Sequence, residues 1–169
     1  ADATGAYLDT ATATTTAATY SGYTDYANVP VGREVRAPGV VYWDGKLYKI
    51  GGYGYVSGTG AARAWLDIYD IATDTWTQGT DMPGARYWID CEAIAAKIYC
   101  AGGYSTSGQT ALYIYDIATD TWSTGLNPLP AYRYNYASVQ LGGKYYLIGG
   151  YAAGYPAPMI VYGPVTDTW

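Results

Sequence analysis

Short apolar runs alternate with glycine-rich turns from residue 40 onward, and the pattern within each stretch is all β. Val40-Val41-Tyr42-Trp43 is followed by Asp44-Gly45 and then by Lys46-Leu47-Tyr48-Lys49-Ile50. An Asp-Gly pair between two β-rich runs predicts a two-residue hairpin, because both central residues of its turn take positive φ. Gly142-Gly143 stands in the same place further on, whereas Ala95-Ala96 stands there in the middle of the chain, a departure from what that turn prefers. A loop then leads to a third strand, at residues 66–71 and 112–117. Ala-Thr-Asp-Thr turns the chain, with side chains able to bond nearby backbone groups. Trp76 or Trp122 opens a short fourth strand, and Pro83 or Pro130 punctuates the exit.

These strands belong to a repeat. Ile68-Tyr69-Asp70-Ile71-Ala72-Thr73-Asp74-Thr75-Trp76 recurs unchanged at residues 114–122, and a weaker copy, Val161-Tyr162 through Asp167-Thr168-Trp169, closes the sequence. The three tryptophans are 46 and 47 residues apart. A double glycine followed by tyrosine lies upstream of each: Gly51-Gly52-Tyr53, Gly102-Gly103-Tyr104 and Gly149-Gly150-Tyr151. Four antiparallel strands in a period of about 47 residues describe a β-propeller blade.

The double glycine after the second strand, with a Tyr and a Trp at this spacing behind it, resembles the kelch repeat. The resemblance covers residues 36–169 and implies an all-β propeller of four-stranded blades. It also implies that Tyr69, Tyr115, Tyr162, Trp76, Trp122 and Trp169 pack between blades. Residues 36–83, 84–130 and 131–169 are then three blades, the last truncated before its fourth strand. Tyr136 departs from the family, which often has His there. Three blades do not close a ring, since propellers carry four to eight. Residues 1–35 read either as outer strands of a preceding blade, because Leu8 to Thr14 echo Tyr115 to Thr121, or as a Thr/Ala-rich linker. Further blades of the same chain, or a second copy, would complete the ring.

Composition then narrows the chemistry. The 169 residues contain 22 Tyr, 22 Gly and 6 Trp, with no Phe and no His. Absence of His removes Ser–His–Asp and Cys–His catalysis and His-ligated metals. A net charge of −5 with nine cations argues against gripping nucleic acid or an anionic membrane. No stretch approaches about 18 uninterrupted apolar residues, so no membrane insertion is expected. The Ala-Asp-Ala start suits a chain released by signal-peptide cleavage.

Candidate sites follow from the repeat. In kelch proteins the loops between strands 2 and 3, and the links between blades, usually bind partners. Here the loops are residues 53–63, 104–110 and 151–158, rich in Gly, Ser, Thr, Pro and Tyr. With Arg36, Arg86 and Arg133 leading into the blades, Tyr53, Tyr104 and Tyr151 would form a ring of guanidinium and phenol groups for an acidic peptide or glycan. A second reading stays open, in which a once-per-blade arginine ties neighbouring blades through backbone carbonyls, and most tyrosines are packing. The recurring Asp70, Asp74, Asp116, Asp120 and Asp167 read as turn caps. Counting outward from Ala95-Ala96 pairs Cys91 with Cys100 across one hairpin, as a disulfide or as two buried thiols.

The expected function is a non-catalytic binding or structural module recognising a protein or glycan, extracellular or on a cell surface, with no cofactor, no metal and no catalytic residue. Kelch-like propellers also occur in copper-radical oxidases and sialic-acid-converting enzymes, and such an activity would need residues beyond this sequence. A subunit of an extracellular filament or surface layer is the other alternative.

Overall fold

The computed structural model describes residues 26–124, 127–153 and 157–169, and within them the chain forms strands and turns without a helix. The first unit contains β1 (Val35–Arg36), β2 (Gly39–Trp43), β3 (Lys46–Ile50), β4 (Tyr53–Val56), β5 (Thr59–Ala62), β6 (Leu66–Asp70) and β7 (Thr75–Gln78). The second contains β8 (Cys91–Ile94), β9 (Lys97–Ala101), β10 (Leu112–Asp116) and β11 (Thr121–Ser123). The third contains β12 (Arg133–Tyr134), β13 (Ala137–Leu141), β14 (Lys144–Ile148), β15 (Tyr151–Ala152) and β16 (Ile160–Tyr162). Antiparallel sheets form in the orders β2-β3-β6-β7, β8-β9-β10-β11 and β13-β14-β16. The third sheet has three strands, and its chain turns through a bridge between Gly163 and Thr168.

Each hairpin turn takes the left-handed backbone that its sequence predicts. Asp44 and Gly45 have φ of 46° and 75°, and Gly142 and Gly143 have 59° and 73°. Ala95 and Ala96 take the same shape at 50° and 59°, at a cost of about 1 kcal/mol each for an L side chain. Their hairpin pairs Cys91 with Cys100, and the two are disulfide-bonded with Cα atoms 4.5 Å apart.

The hydrophobic cores lie between units rather than within them. One joins Val41, Tyr48, Ile50 and Leu66 of the first unit to Ile89, Cys91, Ile98 and Tyr115 of the second. The other joins Ile94, Tyr99, Ala101 and Leu112 of the second to Tyr136, Tyr145, Leu147 and Tyr162 of the third. Strands β2, β8 and β13 pack side by side along the inner rim.

Two polar devices hold each junction. In the first, the Gly52 N–H donates to Arg86 O at 2.7 Å, and the Gly103 N–H donates to Arg133 O at 2.8 Å. A Cβ on Gly51 would lie 2.5 Å from Arg86 O, and one on Gly102 would lie 2.3 Å from Arg133 O. The double glycine is therefore a seat for the next unit's backbone. In the second, Tyr69, Tyr115 and Tyr162 each donate an O–H to the aspartate five residues on, Asp74, Asp120 and Asp167, at 2.6–2.7 Å. The adjoining Trp76, Trp122 and Trp169 indoles donate to Ala27 O, Thr80 O and Asn127 O. The N–H groups of Ala27 and Thr80 in turn donate to Asp74 and Asp120 at 2.6 and 2.8 Å, while the Asn127 side-chain amide donates to Asp167.

Residues 26–34 thus occupy, for the first unit, the place that the preceding unit's exit fills for the others. Residues 1–25, where the preceding-blade or linker reading mostly falls, lie outside the described residues. The arc is not closed at its other end. Ile148 is 46% exposed, although its counterparts Ile50 and Ala101 are fully buried, and Leu141 is 66% exposed where Ile94 is covered. No described atom lies within 4 Å of a Cβ placed on Gly149.

Two outcomes follow for stability. Gly102→Ala and Gly149→Ala both force alanine to positive φ, at about 1–2 kcal/mol, but only Gly102→Ala adds a collision of about 1–3 kcal/mol. Urea unfolding should therefore show the larger loss for Gly102→Ala. Equal losses would contradict the seating role. The second outcome concerns acid. The Ala27 N–H, then the Tyr69 O–H, hold the Asp74 carboxyl below its ordinary value, and the Thr80 N–H, then Tyr115, do the same for Asp120. A lowered folded-state value contributes stability that is complete above about pH 4 and lost as pH falls further. The urea midpoint should decline on acidification below that point. Asp120→Asn should start lower at pH 7 and decline less.

Candidate functional site

The tyrosine after each double glycine sits opposite the residue that leads into the same unit. Arg36 pairs with Tyr53, Tyr87 with Tyr104, and Tyr134 with Tyr151. The left-handed residues Ala37, Trp88 and Asn135, with φ of 53°, 52° and 54°, mark one point in the three lead-ins. Their backbones are tied in series, the Trp88 N–H donating to Ala37 O at 3.0 Å and the Asn135 N–H to Trp88 O at 2.8 Å. That series brings three pairs onto one face.

The rings there form a continuous network. Tyr53 meets Tyr87 edge-on at 5.2 Å, Tyr87 meets Tyr104 at 5.5 Å, and Tyr104 meets Tyr134 at 5.0 Å. Three further contacts are near-parallel: Trp88 with Tyr134 at 5.7 Å and 15°, Tyr132 with Tyr134 at 6.3 Å and 16°, and Tyr134 with Tyr151 at 5.1 Å and 25°. Trp88 and Tyr151 are 40% and 55% exposed. The Arg36 guanidinium lies 4.7 Å above the Tyr53 ring. Partial burial pushes the Tyr87 and Tyr134 phenols above their usual range, with neighbouring phenols adding to it, so both stay neutral at physiological pH.

The proposed ring of three equivalent arginines needs correction. Register equates Arg36 with Tyr87 and Tyr134, while Arg86 and Arg133 fall one position earlier, where the first unit has Val35. Both are buried beneath the face. Arg86 Nη1 donates to Gly102 O at 2.7 Å and Ala111 O at 3.1 Å, and its guanidinium lies 4.3 Å over Tyr113. Arg133 Nη1 reaches Leu147 O at 3.5 Å. Desolvation lowers the pKa of both, as expected for cations turned inward. Arg36, Tyr53, Tyr104 and Tyr151 are on the face. Tyr87, Trp88, Tyr132 and Tyr134, which the sequence reading passed over, are there too. The signal for them was the aromatic residue beside each inward arginine. Of the loops, residues 154–156 lie outside the described set.

A separate hollow of about 680 Å³ lies along the inner rim between β2, β8 and β13. Val40, Tyr42, Trp43 and Val139 line it together with Glu92, whose carboxyl is raised by burial and accepts the Ser138 O–H at 2.9 Å. Among the described residues, no group of three or more His, Cys, Asp or Glu is placed to hold a metal.

Residues 36–83 match the family described as Kelch motif. A stretch of 71 residues is 32% identical to F-box/kelch-repeat protein At1g67480 of Arabidopsis thaliana, covering 42% of this chain and 19% of that protein. Another of 47 residues is 40% identical to Kelch-like protein 36 of Mus musculus, covering 28% of this chain and 7% of the relative. The solved structure of YjhT superposes with a TM-score of 0.68 at 21% identity, over 75% of this chain and 48% of that one. The chain carries the kelch motif over residues 36–83 and has the fold of a kelch-type β-propeller. It spans under a fifth of these curated relatives and about half of the solved propeller chain. The double glycine and Tyr–Trp pair are the seat and the junction bonds described above, and the aromatic face combines the repeated Tyr53, Tyr104 and Tyr151 with side chains that vary between the repeats.

The buried arginines give a direct check on this division. Arg86→Met leaves Gly102 O and Ala111 O without their charged donor and should cost about 1–3 kcal/mol in urea unfolding. Arg36→Ala, on the exposed face, should change stability by no more than about 0.5 kcal/mol.

Proposed function

We propose that this kelch chain is a non-catalytic recognition module that engages its partner, a protein or glycan, through the aromatic face. The observation that carries this reading is the continuity of the ring network across all three units, with Trp88 open to solvent. Tyr and Trp supply rigid, amphipathic contact area at small entropic cost, and the Ser, Thr and Gly of the adjoining loops supply adaptable hydrogen bonds. Kelch repeats generally mediate protein–protein interaction, which favours a binding role over a chemical one. An oxidising compartment, outside the cell or on its surface, is the setting in which the Cys91–Cys100 bond persists.

A panel of immobilised extracellular proteins and glycans tests the reading. Any partner retained by the wild type should be lost at least tenfold by the double variant Trp88→Asn with Tyr151→Ala. Asn is chosen because Asn135 holds the same left-handed position in the third unit. A partner bound equally well by the double variant would place recognition elsewhere.

A further inference from the structure

We infer that two copies of this chain close a ring of six units, the open face of the third unit in each copy packing on the first unit of the other. The pairing is independent of what the aromatic face binds.

Chain order gives each unit a forward face, turned toward the unit that follows, and a rear face, turned toward the one before. On the first unit the forward face is Val41, Tyr48, Ile50 and Leu66, and the second unit buries all four. Counted from the hairpin turns, the third unit carries Val139, Tyr146, Ile148 and Met159 at the same positions. Valine, tyrosine and isoleucine recur unchanged, and methionine replaces leucine. The side chains of a filled junction are thus repeated on a face that no described residue covers. Val139, Ile148 and Met159 are 44%, 46% and 60% exposed, with Leu141 open beside them. Grouped apolar exposure of this kind marks an interaction surface.

The backbone at that end specifies the occupant further. The seats at Gly51-Gly52 and Gly102-Gly103 each receive a carbonyl from the lead-in of the next unit, and Gly149 has no described atom near it. A partner that fits must therefore bring an extended segment with an outward carbonyl as well as an apolar surface.

The first unit has both. Register places Val35 where the later units have Arg86 and Arg133, so Val35 O of a second copy would enter the third seat. The Trp88 and Asn135 N–H groups each donate to the preceding unit's left-handed residue. Ala37 of the second copy would extend that series by donating to Asn135 O. On the rear face of the first unit, Val40 and Tyr42 are more than half exposed, at the positions where the second unit has Cys91 and Ala93 packed in its junction. Lys49, Arg33 and Asp67 on the same face are bonded to one another, so covering them separates no charge from its partner.

The arc sets the number of copies. Its three units superpose on about half of one solved propeller chain, so they turn through about half a circle. A second copy placed by a half turn brings both pairs of open faces together at once. Head-to-tail contacts close into a ring when the rotation completes a circle. Once one junction forms, the other becomes intramolecular.

Sedimentation equilibrium of the 169-residue chain, from micromolar to submillimolar concentration, tests the pairing. The wild type should reach twice the 18.1 kDa of one chain. Ile148→Asp and Val40→Asp place a carboxylate in the junction from opposite sides, and each should sediment as one chain. Both side chains are about half exposed in a single copy, so the far-UV circular dichroism spectrum should stay that of the wild type. Val165→Asp, at a turn position 99% exposed, should remain paired. A wild type that stays at the mass of one chain overturns the inference and leaves the face to units outside these residues. A ladder of species larger than two chains overturns the half turn. Val40→Asp that remains paired while Ile148→Asp does not would mean two third units face to face, which also overturns the ring.

Discussion

Everything in this fold leans on one carboxylate per unit. Asp74 and Asp120 each stand at the turn between third and fourth strands, accept a phenol from their own unit, and accept a backbone N–H from the segment before it. Asp167 accepts the Tyr162 phenol in the same way and a side-chain amide from Asn127. Hydrogen bonds to an ionised acceptor are roughly twice as strong as neutral ones, so a small motif can fasten two units. The motif also explains the aromatic composition. A phenylalanine at Tyr69, Tyr115 or Tyr162 would fill the same space and leave the aspartate without its internal donor. At Tyr136 and Tyr145 the hydroxyls again have work, bonding to Asp90 O and to each other.

Because the cores lie between units, the polar devices decide how units meet and the apolar contacts follow. The glycine seat takes the carbonyl of Arg86 or Arg133, and the same arginine returns its guanidinium to a carbonyl of its own unit. Backbone is thus bonded on both sides of each junction, as buried polar groups require. The lead-in segment that results has a fixed height and a fixed left-handed step at Ala37, Trp88 and Asn135. The aromatic face is an outgrowth of that step.

The fold was legible from spacing alone, because double glycine, Tyr and Trp recur with a period that one blade requires. The hairpin at Ala95-Ala96 was legible despite its residues, since the flanking strands impose the turn and the alanines bear the strain. The face was read less well. Arg36, Arg86 and Arg133 look equivalent when the chain is scanned for arginine, but pairing to Tyr53, Tyr104 and Tyr151 shifts Arg36 by one position. In a strand, a one-residue shift moves a side chain to the opposite face. That parity separates an outward Arg36 from the inward Arg86 and Arg133, and composition carries no information about it. Tyr87 and Tyr134 were hidden for the same reason.

The three units also show where such a fold is free to vary. Where the backbone is the ligand, at the glycine seat and the aspartate clamp, the residues repeat. Where the side chain leaves the junction, they diverge: Arg36, Tyr87 and Tyr134 at one position, Ala37, Trp88 and Asn135 at the next. Even the strand interiors differ, with Lys49 and Arg33 both bonded to the fully buried Asp67 where the second unit has the disulfide-bonded Cys100 at the Lys49 position and the third has Leu147. A buried ionic cluster of that kind contributes little net stability over apolar substitutes. Divergence is tolerated there because neighbouring units are held by bonds that do not pass through those side chains. The same separation leaves the left-handed step free to carry alanine, tryptophan or asparagine in successive units, at Ala37, Trp88 and Asn135.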